Sequence, residues 1–381
     1  MWAPRPQARN APASHAVAKA VRNKVETERW RIAAAATLRE TTMTDRSKKL
    51  AAMLAAGVAM TNFATSLHAG QITIYSALEE EEINQFVEKA REEIPDITLN
   101  VLRLSTGNLT ARLLVEADNP QADVVLSLPV SNIMNPNILK ILEPYAPKGI
   151  EQVPEQFRDP ENRWFSLAGY MEVFCVNTDR MERLGLPVPT SWEELADPKY
   201  KGEVVMPDPL SSGVGFIVVA TLVNGLGEEK GWDLLGRMTQ NMAQYTNSGS
   251  RPCRMAQTGE YSIGVSYEVP AIQAINEGYP MQMVIPSDLA GYEISGIGLL
   301  KGSKNESDAK AFLDWMLTKS PLDIYQSLKP VTTIPRGAST EAEQKAGMPV
   351  DLTAVLAPMD FAAIASQRDA MLARWTSLIG K

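Results

Sequence analysis

Histidine is nearly missing from this 381-residue chain: His15 and His68 are its only two, and both fall in the first 68 residues. If that stretch is removed on maturation, no imidazole remains. A Ser-His-Asp triad, a histidine general base and a histidine-ligated metal site are then excluded. Cysteine is as scarce, with Cys175 and Cys253 alone. Cys175 sits in the apolar stretch VFCVN and Cys253 near a helix start, so buried free thiols are the plainer expectation. An oxidising compartment would permit a bridge, but nothing in the spacing asks for one. Basic residues are outnumbered, 37 against 45 acidic, for a net charge of −8. Eleven of those 37 and four of those 45 lie in residues 1–69, so the remainder stands at −15. That balance argues against nucleic acid and against anionic membranes as partners.

What is present fits a globular protein, with 45 % hydrophobic and 22 % charged residues. The length suits two domains of moderate size. Near the start, Arg46, Lys48 and Lys49 form a basic segment, Leu50 to Met60 a short apolar core, and Ser66 to Ala69 a plausible cleavage site. The apolar run is about half the length that spans a bilayer, so it reads as a secretory signal. Residues 1–42 show no periodic core pattern, and Met43 is the expected true start. Cleavage near Ala69 is expected to release the protein into the periplasm.

From Gln71 the pattern alternates strands and helices. QITIYSA is an apolar strand, and Glu79 to Ile94 an amphipathic helix with Ile83, Phe86, Val87 and Ala90 at helical spacing. A strand over 97–104, a helix over 105–117 and a strand over 122–128 follow. This β-α-β-α-β run predicts a parallel, doubly wound sheet with ligands at the carboxyl ends of its strands. Further on, 171–179 reads as a strand buried on both faces, 203–206 as another, and 214–224 and 228–240 as helices. A strand near Ile294 leads into a helix over 308–318.

Two windows stand out. Asp208 to Phe216 (DPLSSGVGF) and Tyr245 to Glu268 (YTNSGSRPCRMAQTGEYSIGVSYE) each place small hydroxyl residues at a helix start. Such a start has unpaired backbone N–H groups and the positive end of the helix dipole, which suits an anion. An ordinary N-cap explains Ser211, Ser212 and Gly213 equally well when they are taken alone.

The motifs ITIYSA, ADVVLS, PTSWEELADPKYKGEVVMPDPLSSG, NSGSRPCRMAQTGEYSIGVSYE and SGIGLLKGSKNESDAKAFLDWML occur in one order over most of residues 71–320. Together they resemble the periplasmic substrate-binding proteins of ATP-driven (ABC) importers, in the branch of ferric-ion, phosphonate and sugar-phosphate binders. The resemblance implies an α/β fold of two doubly wound lobes joined by a two-strand hinge, the type II arrangement. Lobe one would be 70–172 plus 294–381 and lobe two 173–293, closing on the ligand like a clamp. It further implies a monomeric, non-enzymatic receptor without cofactor or metal, whose partners are a small solute and an inner-membrane permease.

The paired helix starts look most like those of binders of 2-aminoethylphosphonate and related phosphorylated metabolites. On that resemblance Ser211, Ser212, Gly213, Ser248 and Gly249 would contact an anion, with Arg251 as a possible bidentate partner. In lobe one, Ser76, Thr106, Gly107 and Ser127 fall at the carboxyl edge of the sheet. Tyr267 would offer a hydroxyl and Glu268 a counter-ion for an amine, unless both simply solvate a strand end. Ferric binders of the branch use two adjacent tyrosines after the Gly-Glu-strand element. Here that pair is Tyr267-Glu268, so a ferric ligand is the alternative and a phosphonate or phosphate the first expectation. An exported hydrolase is the alternative from another class, and a sensory receptor would share the same fold.

Overall fold

Strand β1 (Gly70–Ser76) carries the β-branched and aromatic run Ile-Thr-Ile-Tyr and buries Ile72 and Ile74 fully. The computed structural model describes residues 70–380; the expected signal segment and the Met43 start lie outside them. Helix α1 (Glu80–Glu93) opens with a reciprocal capping box between Glu79 and Glu82, and acidic side chains fill its first turn. It buries Ile83, Phe86 and Ala90 along one stripe. Strand β2 (Ile97–Arg103), helix α2 (Thr106–Val115) and strand β3 (Val124–Pro129) follow. β1 pairs in parallel with both β2 and β3, as the alternating pattern predicts.

A two-residue strand, β4 (Leu142–Glu143), precedes the long β5 (Phe165–Asn177), which begins earlier than its apolar pattern suggests. Next come β6 (Val204–Pro207), helices α3 (Gly213–Leu226) and α4 (Glu228–Thr239), and β7 (Met242–Thr246). Helix α5 (Arg251–Gln257) leads to β8 (Ile263–Tyr267), helix α6 (Glu268–Asn276), β9 (Met281–Val284) and β10 (Tyr292–Leu300). Helices α7 (Glu306–Trp315), α8 (Lys319–Leu328) and α9 (Phe361–Leu378) complete the chain.

The strands run in the order β2-β1-β3-β10-β5-β8-β6-β7, with β4 on β10 and β9 on β5. β10 lies antiparallel between β3 and β5. β5 changes partners along its length: Phe165 to Met171 face β10, whereas Glu172 to Asn177 face β8 and β9. β6 joins β8 and β7 in parallel. The result is a mixed α/β fold with helices on both faces of the sheet, in keeping with the expected class.

Distinct cores flank the crossing strands. Ile72, Ile74, Phe86, Phe312 and Trp315 belong to one, and Phe174, Trp192, Phe216, Leu222 and Trp232 to another. Helix α9 contributes Ile364, Met371 and Trp375 to the second, so the end of the chain packs beside α3 and α4. Each buried side chain of this size contributes about 1.5–3 kcal/mol by leaving water.

The cysteines depart from the free-thiol expectation, for Cys175 and Cys253 form a disulfide across 78 residues of sequence. Register explains it. Cys175 on β5 sits opposite Gly264 on β8, and a Cβ at Gly264 would meet the Pro252 carbonyl oxygen at 2.2 Å. Only glycine lets α5 settle this close to the sheet, and that approach carries Cys253 to its partner.

Candidate solute-binding cleft

Each helix of interest starts just after a strand ends, α1 after β1, α2 after β2, α3 after β6 and α6 after β8, so several starts gather at the carboxyl edges of the strands. The starts of α2 and α3 touch. The Gly107 N–H donates to the Ser211 carbonyl at 2.9 Å, and a Cβ on Gly107 would sit 2.5 Å from the Leu210 carbonyl oxygen. A Cβ on Gly213 would come within 2.9 Å of both Thr106 Oγ1 and Tyr170 Oη. Glycine at these two points is what lets two helix N-termini meet.

Between them lies a cleft with about 60 Å³ of free volume. Its walls present the hydroxyls of Ser105, Thr106, Ser127, Tyr170, Ser212, Tyr267 and Ser295. Ser212 caps α3, accepting from the Gly215 N–H at 3.4 Å. Ser105 occupies the cap position of α2 but makes no side-chain cap bond, which leaves its hydroxyl for the cleft. Ser127 holds a left-handed backbone, φ 63°, uncommon for a side-chain-bearing residue and costing roughly 1–3 kcal/mol. Ser127 lies inside β3 and is the residue skipped where the register with β10 shifts between Gly296 and Ile297.

Charged groups reach the cleft in pairs. Glu79 accepts from Arg103 Nη2 at 2.8 Å and from Ser250 Oγ at 2.8 Å, while Arg254 stands 3.9 Å away. Glu82 contacts the Lys329 ammonium, and both are buried. Burial, reinforced by nearby glutamates, pushes the Tyr170 and Tyr267 phenols well above their ordinary range, so both are neutral donors. Their rings lie 5.8 Å apart, centroid to centroid. Neutral donors, hydroxyls and two helix N-termini together suit an oxyanion.

Of the residues expected from sequence, Thr106, Ser127, Ser212, Gly213, Gly249 and Tyr267 line this cleft. Gly107 and Ser211 join the two helix starts. Ser76 is fully buried and its Oγ accepts from the Leu78 N–H at 3.1 Å, shaping the loop behind the cleft. Ser248 and Arg251 do not line it. They face a neighbouring cavity at the mouth, where Ser248 Oγ lies 3.0 Å from Ser250 Oγ.

Glu268 does not solvate a strand end. It opens α6, is fully buried, and accepts from the Met171 N–H at 2.9 Å. Burial pushes its carboxyl up to about 7. Sequence reasoning missed Glu79, Glu82, Arg103, Tyr170, Ser295 and Lys329. Ser105, beside Thr106 in a helix-start pattern, was within reach, and Arg103 ends a predicted strand. Tyr170 and Lys329 carry no local signal, because tertiary folding alone brings them here.

The family described as "Bacterial extracellular solute-binding protein" matches residues 119–346. An uncharacterized protein of Haemophilus influenzae is 32 % identical over 329 residues, 85 % of this chain and 94 % of its own length. A probable ABC transporter periplasmic-binding protein, y4fP of Sinorhizobium fredii, is 27 % identical over 80 % of this chain and 85 % of its own. Among solved structures, the periplasmic binding protein AfuA of Actinobacillus pleuropneumoniae, described with fructose-6-phosphate bound, superposes with a TM-score of 0.74. It shares 28 % identity, over 82 % of this chain and 99 % of its own. More distant relatives are named for either ligand class, ferric iron and 2-aminoethylphosphonate among them. The chain belongs to the bacterial extracellular solute-binding protein family.

Proposed function

We propose that this protein is the periplasmic receptor of an ABC import system and captures a small phosphonate or phosphate-bearing solute, with 2-aminoethylphosphonate as the first candidate. The carrying observation is the meeting of the α2 and α3 N-termini at one hydroxyl-lined cleft. Backbone N–H groups, helix dipoles and neutral hydroxyls stabilise a tetrahedral oxyanion there without a histidine or a metal. Residues 70–172 plus 294–381 form one closing body and 173–293 the other, joined where β5 and β10 cross between them. Helix α9, although late in sequence, packs against the second body, to whose core it contributes. No residue in this reading performs chemistry: the protein binds, closes, and delivers its solute to a membrane permease.

A ferric ligand is the second reading, favoured by the two phenols of Tyr170 and Tyr267 beside Glu79 and Glu82. Against it, both carboxylates are already engaged, Glu79 by Arg103 and Ser250 and Glu82 by Lys329. Those cations would repel a trivalent ion. Titration calorimetry with 2-aminoethylphosphonate, a phosphate monoester and ferric citrate tests the choice. One phosphonate or phosphate ester bound per chain, with compaction in solution scattering, is expected. Binding of ferric citrate alone would falsify the assignment.

A further inference from the structure

Lys329 follows helix α8 and lines the cleft, yet its side chain is only 8 % exposed. Its ammonium has three donors. One carboxylate, Glu82, lies in contact, and the face of the Tyr267 ring stands 5.7 Å away. Arg103, the other cation of the cleft, is committed to Glu79 at 2.8 Å and to the Leu78 carbonyl at 3.3 Å. Arg103 has donors to spare as well, but its side chain is 25 % exposed, so Lys329 is the cation of the cleft that water screens least. Glu82 is not idle either, because its other oxygen accepts from the Glu79 N–H at 2.9 Å and completes the cap of α1.

We propose that Lys329 reads the charge of the bound head group while Glu82 stands in for that head group, so the cleft selects doubly charged tetrahedral oxyanions over singly charged ones. The selected class is phosphonates and phosphate monoesters, and the rejected class is sulfonates and sulfate esters of the same shape. This rests on the phosphonate or phosphate reading above. Neutral hydroxyls bind both classes alike, since the two head groups offer the same oxygen geometry. Coulombic attraction to Lys329 and to the helix N-termini instead scales with ligand charge. Glu82 keeps the buried ammonium compensated when no anion is present, because a lone charge in that position is strongly unfavourable. The same carboxylate repels an incoming anion and sets an upper limit on affinity.

Opposite signs follow for the two partners. Glu82→Gln keeps the cap, since glutamine also serves in a capping box, and removes the competing charge. Affinity for 2-aminoethylphosphonate should rise about tenfold, and that for its isostere 2-aminoethanesulfonate should rise less. Lys329→Gln alone would strand Glu82, so the second variant is the neutral pair Glu82→Gln/Lys329→Gln. Calorimetry compares 2-aminoethylphosphonate with 2-aminoethanesulfonate, and ethyl phosphate with ethyl sulfate, about two pH units above the second ionisation of the phospho group. The wild type should prefer the doubly charged member of each pair at least tenfold, and the double variant should lose most of that preference. If the double variant does not fold, Glu82→Gln decides the matter by itself. Weaker binding of every ligand by Glu82→Gln, or full preference retained by the double variant, makes the ion pair merely structural and overturns the proposal. Equal binding of both classes by the wild type also overturns it and leaves the phosphonate reading standing. Wild-type silence towards all four ligands overturns that reading and this one together.

Discussion

Ser212 and Ser248 occupy matching places in two turns that read alike, SSG before one helix and SGS before another. Their surroundings differ in every respect that matters to a ligand. Ser212 opens a fourteen-residue helix buried from Gly213 to Val223, caps it, and lines the cleft. Ser248 precedes a seven-residue helix whose cap residue, Ser250, has a helical backbone and makes no side-chain cap bond. Ser248 and Ser250 bond to one another, and Ser250 reaches across the mouth to Glu79. Ser212 faces the cleft, whereas Ser248 and Ser250 turn to each other and to the opposite wall. Small hydroxyl residues at a helix start therefore identify a candidate anion site, but helix length and local backbone decide whether it points inward.

What anchors the two helices differs as well, and the largest expected effect tests that difference. Helix α3 is held by its own buried face, whereas α5 is stapled to β5 through Cys175 and Cys253. Replacing both cysteines with serine should lower stability by about 2–5 kcal/mol in chemical denaturation. Amide exchange should quicken around residues 247–257 far more than around 213–223. Equal loosening of both segments would break the distinction.

The next effect is on affinity. Ser212→Ala should weaken phosphonate binding by one to two decades, about 1.5–3 kcal/mol for a charge-assisted hydrogen bond. A cap loss of about 1 kcal/mol should appear in the melt beside it. Calorimetry and thermal denaturation read the two separately.

A third prediction uses a carboxylate of β5 that meets the side of α3 at Thr221. Glu172 is fully buried, its Oε1 accepts from Thr221 Oγ1 at 3.2 Å, and burial pushes its carboxyl up to about 8 from 4.5. The folded state therefore binds a proton that the unfolded state has already released. Stability from this group is complete below about pH 4.5 and is lost as pH rises towards 8. The slope approaches about 1.4 kcal/mol per pH unit within that window. Glu172→Gln should remove that share of the slope in melts across the window, and an unchanged slope would refute it.

Smallest is Ser248→Ala, expected to change affinity less than threefold, or about 0.6 kcal/mol. A loss equal to that of Ser212→Ala would restore the two turns as twins.

Much of the fold was legible because its signals are local. The ITIYSA strand, the acidic start of α1 and the continuous apolar run of β5 each follow from neighbours along the chain. Thr106, Ser127 and Ser212 could be named because strand ends and helix starts place them. Glu82 and Lys329 could not: their pairing joins the first helix to a segment some 250 residues later, and no spacing rule covers that distance. The disulfide was hidden for a similar reason, since it depends on Gly264, a residue in neither cysteine's neighbourhood. Glu268, expected either to face a ligand amine or to solvate a strand end, is kept from solvent because the chain turns at once into α6 and buries it.

The placement of β10 has a consequence in time. It lies between β3 and β5, so the strands made first meet their central neighbour only after residue 300 has been synthesised. The core around Trp232 waits longer still, for Trp375. Contacts this distant in sequence close slowly. Nascent chains lacking the last hundred or so residues should stay open and protease-sensitive. A polypeptide whose second core cannot close until Trp375 appears stays threadable for as long as its synthesis lasts.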